Sequence, residues 1–120
     1  IFNGGNTKRN VENAQMEKEI GELRIEETRH SLSNFLTNSY ELYKIKKQQY
    51  EVASVNLEAA ELNLQIARDK FETGAINSFN YRDIQIAYQN AAFERLQATY
   101  NLIDAHTELM RLTGQIIEKY

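Results

Sequence analysis

From Thr7 to Thr73 the chain has no proline and only one glycine, Gly21. An interior proline costs a helix roughly 3 kcal/mol and a glycine about 1 kcal/mol, so nothing in this stretch is a strong breaker. Asn6 or Thr7 can cap its start, because a side-chain oxygen there accepts one of the otherwise unpaired first N–H groups. At 1.5 Å per residue such a helix would be about 100 Å long. Helices well beyond about 25 residues are coiled coils, membrane spans or repeats. Charged residues are spread throughout, and no apolar run approaches the ~18 residues of a span, which leaves a coiled coil or a repeat.

The spacing of apolar residues supports the coiled coil. Leu36, Tyr43, Tyr50, Leu57, Leu64 and Phe71 fall on one heptad position, and Ala53, Ala60 and Ala67 interleave with them. This is a seam of alternating large and small residues. A second seam, Val52, Val55, Ala59, Leu62 and Ile66, runs along the same helix. Two seams predict a neighbour on each side, although a wide apolar face in a globular bundle would also show this pattern. Between Val11 and Leu42 the pattern weakens. Ile25, Thr28, Leu32, Phe35 and Leu42 keep a seam, while Glu and Arg interrupt the one beside it.

Phe71–Asp83, FETGAINSFNYRD, ends this helix and begins another. Gly74 tolerates the positive φ that closes a helix, and Asn77 or Ser78 can cap the next. The second helix runs to Thr113, with Gly114 as its terminating residue, and also carries two stripes. One is Ile84, Tyr88, Ala91, Ala98, Leu102, Ala105, Leu109 and Leu112, with Arg95 in its gap; the other is Phe93, Leu96, Tyr100, Ile103, Thr107 and Met110. The expected fold is all-α, a long antiparallel two-helix coiled-coil hairpin with unequal arms. Folding at residues 75–76 brings Leu64 near Ala87, Leu57 near Glu94, Tyr50 near Asn101 and Tyr43 near Glu108, to within about a turn. The second helix then runs out opposite Ser39. About thirty residues of the first are left to be covered by something else.

Lys and Arg number 14 and Asp and Glu 17, a net charge of −3 with the signs interspersed, which gives no basic footprint for nucleic acid. There is no cysteine, so disulfide frameworks and thiolate metal sites are excluded. His30 and His106 lie on the order of 20 Å apart in the folded register and cannot share a metal. Glu17, Glu19, Glu22, Glu26 and Glu27 are scattered around a helix among Lys and Arg. Acid–base chemistry needs a concave, partly dry site, and a two-helix rod offers none. There is no phosphate cradle, nucleophile–base pair or zinc spacing either, so neither an enzyme nor a cofactor is expected. At the tip, Asp69 and Asp83 have Arg68, Lys70 and Arg82 close enough to pair with them. Ile76 is expected to await a partner and Phe79 to pack.

Several of these segments together resemble one family. Phe2-Asn3-Gly4-Gly5 precedes a long helix, followed by Ala67-Arg68-Asp69-Lys70-Phe71-Glu72-Thr73-Gly74, then Asp83 and a closing Leu112-Thr113-Gly114. This order is similar to the TolC-like outer membrane efflux protein family, in the C-terminal half of its repeat. There an "lFdGG" turn, an "A..rY..G..s..dvldA" tip and an "LxG" close occur in sequence. Phe71 stands where the family has tyrosine, Tyr81-Arg82 replaces an apolar pair, and Ile84 replaces an alanine. The resemblance implies a homotrimeric outer membrane efflux channel with an α-helical tunnel in the periplasm. This chain would then comprise a strand end and turn over 1–5 leading from a β-barrel part that is not in this sequence, a helix over 6–73, a tip over 74–78, a helix over 79–113 and a tail over 114–120. It further implies that Gly74, Ala75, Ile76, Asn77 and Ser78 dock a periplasmic adaptor, and that Asp69, Arg82 and Asp83 act as entrance charges. An inner membrane pump would be engaged indirectly, and the exported cargo would be small molecules or proteins. The alternative is a coiled-coil spacer, or the helical hairpin of an adaptor in the same kind of export system.

Overall fold

The structure is a computed structural model and describes residues 4–114. Two helices make up the fold, α1 (Gly4–Glu72) and α2 (Ser78–Leu112). Gly4 and Gly5, expected in a turn, are already helical. No breaker follows them, and a glycine near a helix end loses little relative to one in the interior. The expected strand end at Ile1-Phe2 and the tail Gln115–Tyr120 lie outside the described residues.

Residues 39–114 form an antiparallel hairpin. Its buried residues are all alanines: Ala53, Ala67 and Ala105. This follows from having only two helices. At the line of closest approach a methyl group is fully covered, whereas a larger side chain splays to the edge and keeps one side in water. Accordingly Tyr43, Tyr50, Leu57, Leu64, Tyr88, Leu102 and Leu109, which flank the alanines, are half-buried. The inner seam is therefore the large–small alternation read from the sequence. Register is seen directly at two ring contacts. Phe71 stacks on Tyr81 with centroids 4.9 Å apart, and Tyr43 meets His106 at 5.8 Å. Both agree with the expected pairing to within a turn. Lys70 and Arg111 sit in the last turns of α1 and α2, where cations oppose the negative end of the helix dipole.

Residues 4–38 form the other unit, helical from Gly4 onward. None of its described residues is buried, and Val11, Met16, Ile20, Leu23, Ile25, Leu32, Phe35 and Leu36 are all exposed. Lys18 and Glu22 form an ion pair at 3.7 Å one turn apart.

Candidate functional site

The tip is built by two caps placed back to back. Thr73 continues the helical pattern, its N–H donating to the Asp69 carbonyl at 3.1 Å. Gly74 then takes φ +75, the left-handed region that an L side chain rarely adopts. Its N–H donates to the Phe71 carbonyl at 3.0 Å, and that of Ala75 to the Lys70 carbonyl at 2.7 Å. These two bonds define a Schellman motif, which satisfies carbonyls that the end of α1 would otherwise leave unpaired. Asn77 is extended and begins α2 by accepting the Asn80 N–H at Oδ1, 2.9 Å away. The turn is thus five residues long and fully specified by its own hydrogen bonds.

Reversal through Gly74 sends Ile76 back over α1, with its N–H 3.3 Å from the Lys70 carbonyl. Ile76 is half-buried and lines a groove of about 360 Å³ with Ala60, Ala67, Lys70, Ile84 and Ala87. Phe79 is 78% exposed. Ile76 therefore packs in part against the hairpin, while Phe79, expected to pack, does not. The sequence held the signal for Phe79. Phe79, Ile86, Phe93 and Tyr100 are seven residues apart, so Phe79 is the tip end of the second stripe of α2, and all four are exposed.

That stripe and its counterpart on α1 are the largest open apolar features of the hairpin. Phe93, Leu96, Tyr100 and Ile103 are 59–71% exposed, and Val52, Val55, Leu62 and Ile66 are 44–64% exposed. On each helix, then, one seam is covered by the other helix and one faces outward. The heptad positions of the outer seams lie on the side of each helix turned away from its partner.

Of the other residues expected at the site, Gly74, Ala75, Asn77 and Ser78 are exposed at the turn. Asp69, Arg82 and Asp83 are exposed as well. The ion pairs among the described residues are Lys18–Glu22, Lys44–Glu41 and Arg111–Glu108, so the tip charges are not paired with one another. Phe71 stacks on Tyr81 with an 8° angle between the rings.

Halfway along the hairpin, Arg95 occupies the gap in the inner stripe of α2. Its guanidinium donates to the Tyr50 hydroxyl at 3.3 Å and lies 5.7 Å from the centre of that ring. This hydrogen bond holds the Tyr50 phenol below its ordinary pKa, because the cation stabilises the phenolate. Glu108 is likewise held below the usual carboxylate range by its hydrogen bond to Arg111. Among the described residues no group of three or more His, Cys, Asp or Glu is placed to hold a metal, and no helix is long and apolar enough to cross a membrane.

Compared with families of known proteins, residues 1–115 match the model described as outer membrane efflux protein. No curated protein and no solved structure matches the chain.

Proposed function

We propose, from the premise that this chain belongs to the outer membrane efflux protein family, that its hairpin is one stave of a periplasmic tunnel wall. Members of the family are components of outer membrane efflux channels, which carry out transport rather than catalysis. The observation that carries the proposal is the pair of outward seams. A coiled-coil spacer needs one seam per helix, whereas a stave in a closed wall needs two, and both α1 and α2 have two.

In this reading the protein is a homotrimer, and the outer seams pack by knobs-into-holes against other helices of the wall. The turn Gly74–Ser78 faces the periplasm and docks an adaptor, through which an inner membrane pump is engaged. Small molecules or proteins leave through the lumen. Asp69, Arg82 and Asp83 face the entrance, where unpaired charges focus potential on passing ions. Family membership favours this over the spacer and over the adaptor hairpin.

The test is fractionation of the native protein, followed by electrophoresis with and without heating. An outer membrane band that runs as a trimer until heated supports the stave. A band in the inner membrane or the soluble fraction refutes it. Docking is tested separately by adaptor capture with Ala75→Arg/Ser78→Arg, which leaves Gly74, the Ile76 packing and the Asn77 cap intact. Unchanged capture removes the tip as the docking site.

A further inference from the structure

A heptad seam is degenerate: moving α2 by seven residues relative to α1 keeps apolar stripe against apolar stripe. Such a slip carries α2 about 10 Å along α1. The inner stripe of α1 reads Leu36, Tyr43, Tyr50, Leu57 and Leu64 at successive heptads, so two tyrosines stand between leucines. Each tyrosine has a polar partner on α2. Arg95 reaches Tyr50 through its hydroxyl and ring face, and His106 meets the ring of Tyr43.

We infer that these two contacts form a register lock that singles out the native pairing of α1 and α2. Slipping one way moves Arg95 from Tyr50 to Leu57, which has no hydroxyl to receive the guanidinium. Slipping the other way moves His106 from Tyr43 to the heptad position filled by Leu36. Neither contact alone opposes both slips: in the second slip Arg95 would still find a phenol, at Tyr43, and in the first His106 would still find one, at Tyr50. The two together bracket the register. Arg95 is also the one charged residue in the α2 stripe formed by Ile84, Tyr88, Ala91, Ala98, Leu102, Ala105, Leu109 and Leu112. A lone polar group on a coiled-coil seam specifies pairing while lowering stability. On the stave reading of the hairpin, the lock sets how far the tip projects; the lock itself rests on the contacts within residues 39–114 and on the sequence repeat that puts Leu36 one heptad before Tyr43.

The chain has no native cysteine, so Glu51→Cys and Gln85→Cys, both at exposed positions, accept spin labels cleanly. Distances are measured by pulsed electron resonance in the whole chain. Because the Gly74 and Asn77 caps also favour the native turn, Arg95→Met/His106→Leu is placed in an Asn77→Ala background. The expected result is one distance with Arg95 and His106 present, and a second population shifted by about 10 Å of axial travel when both are replaced. Helix content and thermal midpoint should hold or rise. Tyr50→Phe, which removes only the hydroxyl, should act in the same direction as Arg95→Met alone. A single unchanged distance in the double variant overturns the inference. So does a loss of helix content, because residues that specify register lower stability rather than supply it. Neither result bears on membrane fraction or trimer formation, so failure of the lock is distinguishable from failure of the stave.

Discussion

Three glycines of this chain form a natural experiment on backbone conformation. A Cβ built on Gly21, Gly74 or Gly114 meets no atom within 4 Å, so alanine at any of them creates no clash. They differ in φ: Gly74 and Gly114 are at +75, whereas Gly21 lies within α1 with no positive φ. At Gly21 alanine removes the entropic disadvantage of glycine and should stabilise the local helix by about 1 kcal/mol. At Gly74 alanine must hold a left-handed residue, a penalty of about 1–2 kcal/mol. Gly114 pays the same local penalty, but a helix end can fray to avoid it, while the hairpin turn cannot. The ordering is therefore Gly21→Ala stabilising, Gly114→Ala near neutral and Gly74→Ala destabilising. Because long helices open locally, the assay is hydrogen exchange resolved by residue. The Ala75 and Ile76 amides, both bonded to the Lys70 carbonyl, report on the turn. At about 1.4 kcal/mol per tenfold change, Gly74→Ala should speed their exchange by about tenfold. Gly74→Asn should do so less, since asparagine tolerates the left-handed region. Unchanged protection in Gly74→Ala, or an equal effect from asparagine and alanine, would refute the reasoning.

Asn77→Ala should destabilise the start of α2 by about 1 kcal/mol, read as faster exchange of the Asn80 amide, whose acceptor is lost. Ala67→Leu should destabilise the hairpin by about 1–3 kcal/mol, because Ala67 is 2% exposed at the closest approach of the helices. Ala59→Leu, on the outward seam, should change the denaturation midpoint little. With its folded pKa lowered by Arg111, Glu108 favours the folded state above its unfolded pKa of about 4.5, and that contribution is lost as pH falls through the lower folded value. The end of α2 should therefore fray on acidification below the ordinary carboxylate range, by residue-resolved NMR, and Glu108→Gln should remove the pH dependence.

Much of this fold was legible because heptad spacing and helix caps are local signals. The seams on both helices, the glycine that ends α1 and the asparagine that begins α2 all follow from residue type and spacing. The cover of each seam did not follow from apolarity, since Val52, Val55, Leu62 and Ile66 are as apolar as Leu57 and Leu64. Residue size was the available discriminator. Ala53, Ala60 and Ala67 repeat every seven residues, which suits the line where two backbones come closest. The partial cover of Ile76 is not legible in residue type, because its direction depends on the left-handed turn at Gly74, which bends the chain back over Lys70 and Ala67. The exposure of Phe79 follows from its place as the first member of a heptad stripe rather than from its place at the tip. Arg95 looked like a gap in a seam, and only the cross-helix geometry reveals its contact with Tyr50.

On the proposed stave reading, the open seams favour a closed wall over a loose pair. Burying a large apolar side chain that is about two-thirds exposed contributes about 1–2 kcal/mol. Phe93, Leu96, Tyr100 and Ile103 together then offer about 4–8 kcal/mol before any loss of motion is charged. Bringing two bodies together loses about 4–15 kcal/mol of translational and rotational freedom. One seam is therefore marginal on its own. A stave held at both edges uses the α1 and α2 seams at once. The last stave to enter a ring buries two faces for a single loss of freedom, so closure is favoured over each separate pairing. A substitution such as Leu96→Glu on one outward seam should accordingly weaken the closed assembly far more than it weakens the hairpin. Ala98→Glu on the inward seam should do the reverse, and equal effects of the two on hairpin unfolding would contradict this division of labour between the faces.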